Sequence, residues 1–147
     1  MSRYYDTGLI LKLYTEEAES DVVRDWVTGK EEALVFTTLH LSECVSALRL
    51  KCFRKECSEE QAAGAILDIE NDLVSGALRS VFIDWVEAWH QCRILSDAHA
   101  GTTGCRTLDV LHVACAKQLG AREFLTTDVR QSNLAKKAGM RVPSISP

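Results

Sequence analysis

The chain is short of the residues that break or loosen a fold. Its only two prolines are Pro143 and Pro147, and no stretch is rich in glycine, serine or proline. That excludes an internal linker and a disordered half. Internal repeats and low-complexity segments are absent as well. No run approaches the ~18 apolar residues needed to cross a bilayer. Met1-Ser2-Arg3-Tyr4-Tyr5 leads straight into strand-like sequence, without the charged head and apolar stretch of a secretory signal. A cytoplasmic protein that makes no use of a membrane is the expectation. An excess of positive charge is missing too. The formal charge is -4, so no basic surface advertises a nucleic-acid ligand, although clustered carboxylates would themselves depress this figure until a metal bound.

Six cysteines are present, but none forms C-x-x-C and no histidine stands at zinc-ligand spacing from a cysteine pair. Cys44, Cys52 and Cys115 fall at apolar positions of helical patterns, where a reduced thiol serves as a small hydrophobe. With 46% apolar and 26% charged residues, the composition is that of a globular protein. Residues 1–147 are expected to form a single domain, long enough to bury a core without staples.

Strand-like and helical runs alternate. Arg3–Asp6, Leu34–Thr38, Val81–Ile83, Glu123–Thr127 and Met140–Val142 read as strands. Helical spacing covers Glu16–Thr28, Leu39 to about Lys55, a long helix opened by the capping box Ser58-Glu59-Glu60-Gln61, Trp85 to about Ala100, Arg106–Leu119 and Arg130–Ala138. Gly29, Gly120 and Gly139 serve as stops, and Gly101-Thr102-Thr103-Gly104 as a loop. The alternation predicts a three-layer α/β/α sandwich around a central, mainly parallel sheet. In such folds the functional crevice lies outside the carboxyl ends of the strands.

Four acids stand where apolar sequence would otherwise continue. Asp6 ends the first strand-like run and Asp128 follows the fourth, Phe124-Leu125-Thr126-Thr127. Glu43 and Asp109 interrupt helical patterns, in Ser42-Glu43-Cys44-Val45 and Leu108-Asp109-Val110-Leu111-His112. An ionised carboxylate beside a core is costly unless something cationic meets it. Two unit charges ~4 Å apart repel by about 4 kcal/mol at an effective dielectric near 20. A shared pocket must therefore take up protons or a divalent cation, and oxygen ligands without His or Cys select Mg²⁺ or Mn²⁺. Such an ion acidifies a bound water and neutralises charge developing on a phosphodiester. Metal-assisted hydrolysis of a nucleic-acid backbone is the chemistry this pattern suits.

The four motifs Tyr5-Asp6-Thr7-Gly8-Leu9-Ile10, Leu41-Ser42-Glu43-Cys44-Val45, Leu108-Asp109-Val110-Leu111-His112-Val113-Ala114 and Leu125-Thr126-Thr127-Asp128 resemble, in order and spacing, those of PIN-domain ribonucleases. The match is closest to VapC-type toxins of toxin–antitoxin pairs, and it runs over nearly the whole chain. The resemblance implies a Mg²⁺- or Mn²⁺-dependent endoribonuclease that leaves a 5′-phosphate and a 3′-hydroxyl. It also implies a homodimer and a small antitoxin that blocks the site. Carried over by position, Asp6, Glu43, Asp109 and Asp128 are the metal-site acids, and Thr7 and Thr126 the supporting hydroxyls. Two departures stand out: Gly8 replaces a frequent serine, and Val129-Arg130-Gln131-Ser132-Asn133 offers no further acid.

Arg49, Lys51, Arg54 and Lys55 form the one concentrated basic stretch, suited to guiding phosphates or meeting an acidic antitoxin segment. Arg106 and Lys12 are further phosphate-contact candidates. His112 shares a helix face with Asp109 and reads foremost as a hydrogen-bonded core histidine. Trp85 and Trp89, four apart, read as core. Rival readings are a catalytically weak PIN-like binding or scaffold domain and other acidic-pocket α/β proteins. A haloacid-dehalogenase-like phosphatase would need D-x-D-x-T, but Gly8 stands at the second acid's place; a phospho-receiver pattern is also missing.

Overall fold

The computed structural model describes residues 3–145. In chain order the elements are β1 (Arg3–Tyr5), α1 (Thr7–Leu11), α2 (Ser20–Thr28), β2 (Leu34–Phe36), α3 (Thr38–Phe53), α4 (Glu59–Ser75), β3 (Leu78–Ser80), α5 (Trp85–Thr103), α6 (Thr107–Gln118), β4 (Glu123–Leu125) and α7 (Val129–Lys137). They form two compact units, one built from the segment ending at Leu9 together with the chain from Phe82 onward, the other from Ile10–Val81.

In the first unit β1 and β4 pair in parallel, with Arg3, Tyr4 and Tyr5 opposite Glu123, Phe124 and Leu125. Tyr4 stacks on Phe124 at 5.5 Å between ring centroids and meets His112 edge-on. Because α6 is buried continuously from Val110 to Ala116, its sequence carries little helical periodicity and reads as an unbroken apolar run. Helices α5, α6 and α7 pack on one another. Gly104, Gly120 and Gly139 adopt left-handed conformations of φ 73°, 71° and 93°, each ending a helix. The expected strand Met140–Val142 is reduced to a single parallel bridge, Arg141 with Glu123.

In the second unit β2 and β3 pair in parallel, Leu34 to Leu78, Val35 to Arg79 and Phe36 to Ser80. Helix α4 packs against both α3 and β3. Its capping box is the expected one: Ser58 Oγ accepts from Gln61 N, and Ser58 N donates to Gln61 Oε1. A second box, unforeseen, opens α3, where His40 Nδ1 accepts the Thr37 backbone N–H and Thr37 Oγ1 accepts from His40 N.

Several sequence expectations are corrected here. The strand is Leu78–Ser80 and not Val81–Ile83; Leu78 is 2% exposed, whereas Phe82 is 86% exposed. Helix α5 runs through Gly101 to Thr103, so the expected loop shrinks to Gly104–Arg106. Trp89 lies half exposed on α5, and Ala88, Cys92 and Leu95 take the inward positions. Gly29 does end α2, but with right-handed backbone, and it is Glu31 that takes the positive φ. Asp6 is followed directly by α1, a helical turn that periodicity did not announce.

The corrected strand can be tested by paired truncation. Leu78→Ala should cost about 2–5 kcal/mol, the usual range for a buried leucine, while Phe82→Ala should change urea-unfolding stability by less than about 0.5 kcal/mol. The reverse order would place the strand where the sequence pattern had put it.

Candidate functional site

Asp6 follows β1 directly, and its backbone N–H donates to Leu125 O, continuing the pairing with β4. Thr126 and Asp128 follow β4, so all three lie at the carboxyl end of the parallel pair. Asp109 stands in the first turn of α6. These residues belong to one unit and are joined by a short network.

Asp6 is half-buried; its Oδ1 accepts from Leu9 N at 2.8 Å, while Oδ2 lies 2.9 Å from Thr126 Oγ1. Thr126 Oγ1 also lies 2.8 Å from Gln131 Oε1 and accepts the Asp128 N–H at 3.1 Å. Gln131 is fixed in orientation because its Nε2 donates to Asp109 O at 3.2 Å. Asp128 is the N-cap of α7, its Oδ1 accepting from Arg130 N and Gln131 N, with Arg130 Nη2 3.6 Å from Oδ2.

One threonine hydroxyl carries one hydrogen, yet two acceptors face it, Asp6 Oδ2 and Gln131 Oε1. A proton on Asp6 would satisfy both contacts at once: Asp6 would then donate to Thr126, and Thr126 to Gln131. Burial pushes the Asp6 carboxyl above the ordinary carboxylate range, and the Asp109 charge pushes the same way. The hydrogen bonds from Leu9 and Thr126, and the nearby His112, pull against it. The same acidic surroundings reach Cys105, whose thiol is raised by burial and further by Asp109 and Asp128.

His112 is buried, with Tyr4 Oη 2.7 Å from its Nδ1 and Thr7 Oγ1 3.0 Å from its Nε2. It is the hydrogen-bonded core histidine that the sequence favoured, and Thr7 supports it. Glu43 belongs to the other unit. It is half-buried on α3, and together with the dominant effect of burial it raises the neighbouring Cys44 thiol to about 12. Lys12 pairs with Glu17 and Glu19, Lys51 with Glu17 and Glu56, and Arg49 with Glu59. Arg54 caps the end of α3 and Arg106 the start of α6, both exposed.

The donor chemistry suits a hard divalent ion. Among the described residues each Asp6 oxygen has one hydrogen-bond partner, Leu9 N at Oδ1 and Thr126 Oγ1 at Oδ2, and so keeps a lone pair for a ligand. Among the described residues, however, no three His, Cys, Asp or Glu side chains form a group that could hold a metal ion. That disfavours a closed protein cage. Gln131 is the site residue that sequence reasoning missed. A single polar residue on a polar helix carries no signal; only its contacts with Thr126, Asp109 and Asp128 reveal it.

An α/β frame with parallel strands and acids at their carboxyl ends defines a class, and the comparisons make it particular. Residues 3–137 match the PIN domain, and the chain belongs to that family, whose members are generally nucleases and typically use divalent metals. Among solved structures it resembles FitAcB from Neisseria gonorrhoeae, with a TM-score of 0.60 at 15% identity, covering 97% of this chain and 96% of that one. No curated protein matches it in sequence. The α/β sandwich with a parallel sheet expected from the alternation is thus the fold the chain has. No helix of the described residues is long and apolar enough to cross a membrane.

The proton count gives a stability prediction. Folded Asp6 keeps its proton to higher pH than unfolded Asp6 does. Its contribution is therefore complete below the ordinary carboxylate range and is lost as pH rises through the elevated value. Asp6→Asn places an N–H donor permanently against Thr126. Near neutral pH, without metal, the variant should be more stable by about 1 kcal/mol, raising Tm by roughly 2–4 °C. The gain should vanish below pH ~4. A variant less stable than the parent at neutral pH would show that Asp6 is ionised there and well satisfied.

Proposed function

We propose that this protein is a Mg²⁺- or Mn²⁺-dependent endoribonuclease of the VapC type, the toxin of a toxin–antitoxin pair. The observation that carries the reading is the half-buried Asp6 carboxyl, coupled to Asp109 and linked through Thr126 to Asp128. Asp6 would be the most direct ligand of the cation, with Asp109 and Asp128 reaching it directly or through water. Glu43 stands as the fourth acid by resemblance alone, on a helix of the other unit. When bound, a divalent ion supplies an acidified water and offsets charge developing on the scissile phosphodiester.

The chain's own residues set up that chemistry. Gln131 and Thr126 fix the backbone of Asp109 and the carboxylate of Asp6 in one network, and Asp128 is held by the start of α7. Arg54 and Arg106 offer exposed guanidinium groups to phosphates, while Arg49 and Lys51 must first leave surface ion pairs that are worth little. By resemblance the products carry a 5′-phosphate and a 3′-hydroxyl, and the protein works in the cytoplasm as a homodimer controlled by an antitoxin. The exposed apolar side chains of Phe82, Val86 and Trp89 support a role for protein partners.

A second reading, a catalytically weak PIN-like binding domain, is favoured by the lack of a ready three-carboxylate group among the described residues. Cleavage separates the two. With Mg²⁺ the protein should cut single-stranded or looped RNA, and EDTA should stop it. Asp6→Asn should lower the rate by roughly 10²–10³-fold or more while the variant stays folded. RNA binding without cleavage, unchanged by chelation, would establish the binding domain instead. Charge reversal at Arg106 should weaken RNA binding and reduce the slope of log affinity against log salt by about 1. An unaltered slope would remove Arg106 from the RNA path.

A further inference from the structure

Cys52, which the sequence pattern read as a small hydrophobe, meets Cys57 in the second unit. Cys52 Sγ and Cys57 Sγ lie 3.6 Å apart, where α3 ends and the chain turns toward α4. The turn is tight: Lys55 adopts a left-handed φ of 60°, and Lys55 N and Glu56 N donate back to Cys52 O and Lys51 O. Both thiols are half-buried and otherwise only weakly engaged, Cys52 Sγ with Ser58 O at 3.4 Å and Cys57 Sγ with Leu48 O at 4.0 Å. The contrast with the other cysteines is clear. Cys44, Cys92 and Cys115 are at most 2% exposed and sealed in the core. Cys105 is half-buried beside the acids of the first unit.

A cavity of about 410 Å³ has Cys57 in its lining. Four acids, Glu16, Glu56, Glu60 and Asp68, face the cavity against one cation, Lys51. Such walls repel anions and admit small neutral molecules. Bringing the two sulfurs from 3.6 Å to bonding distance takes a closure of roughly 1.5 Å, within reach of side-chain rotation at a turn.

We propose that Cys52 and Cys57 form a reversible disulfide site whose oxidant is a small neutral hydroperoxide. The Cys57 thiolate attacks one peroxide oxygen and the O–O bond breaks. Sulfur is oxidised to a sulfenic acid, and the peroxide's other oxygen leaves as water or an alcohol after taking a proton. The Cys52 thiol then attacks the Cys57 sulfur, forming the S–S bond and breaking the S–O bond; the departing hydroxide takes the proton that Cys52 gives up and leaves as water. Two thiols and one hydroperoxide thus give one disulfide, one alcohol or water, and one further water. A dithiol reductant reverses the step by exchange. The bond ties the last turn of α3, the helix bearing Glu43, to the residue preceding the cap of α4.

The test uses the full chain, reduced and then treated with one equivalent of hydrogen peroxide, with peptide mass mapping of all six cysteines. The expected product is a Cys52–Cys57 cross-link, two hydrogens lighter, with the other four thiols free and full reversal by dithiothreitol. In Cys52→Ser, Cys57 should stop at the sulfenic acid and be captured by dimedone. Oxidised glutathione, an anion, should form the link far more slowly. The proposal is overturned if peroxide leaves both cysteines reduced while Cys105 reacts, or if it links separate chains. A Cys57–glutathione adduct forming as fast as the internal bond would overturn the neutral oxidant.

Discussion

The site depends on a carboxylic acid that this fold withdraws from water without supplying a cation of its own. Asp6 follows the buried pair Tyr4 and Tyr5, and among its surroundings only two donors, Leu9 N and Thr126 Oγ1, are seen to bond it directly. Desolvation outweighs what these bonds return, and the Asp6 carboxyl is pushed above the ordinary carboxylate range in consequence. A domain with ordinary stability of roughly 5–15 kcal/mol can tolerate one such group. It gains from it only if some ligand restores the balance. A doubly charged ion would do that, and occupancy of the site would then be linked to stability of the fold.

Asp109 and Asp128 are treated differently. Each stands at the start of a helix, α6 and α7, where the unpaired N–H groups and the macrodipole favour negative charge. Asp128 makes the cap itself through Arg130 N and Gln131 N. Reading an acid at a helix start as a cap or as a metal-site residue is therefore not a choice between exclusive roles. The cap holds the Asp128 carboxylate pointed in one direction before any ion arrives. Asp6 also precedes a helical turn, α1, and Leu9 N donates to its Oδ1, but burial still pushes its carboxyl upward.

How much of this was legible follows from what each signal depends on. Caps, stops and acids that break apolar runs are local events, so Ser58, Gly120, Gly139 and the positions of Asp6 and Asp128 could be read directly. Pairing is not local. Val81-Phe82-Ile83 has the stronger strand composition, yet Leu78-Arg79-Ser80 pairs with β2, since Gly76 turns the chain after α4 and Ala77 O already bonds Leu34 N. Trp89 has the bulk of a core residue, but the inward face of α5 passes through Ala88, Cys92 and Leu95. Gln131 and the second capping box at His40 depend on partners that only folding brings near.

The net charge of -4 takes on a different sense once the ion pairs are seen. Cations of the basic stretch are largely engaged nearby: Lys51 with Glu17 and Glu56, Arg49 with Glu59. The exposed Arg49–Glu59 pair contributes less than about 1 kcal/mol, so it screens positive charge without committing it, while Lys51 is held in a partly buried pair with Glu17. A polyanion with several phosphates can displace the acids by releasing its own counterions. An acidic overall balance and an RNA substrate are then compatible, because what matters is how cheaply each guanidinium and ammonium group changes partner. By the same reasoning an acidic protein segment would compete for those groups with RNA, and the surface that guides a substrate would also be the one through which an inhibitor acts.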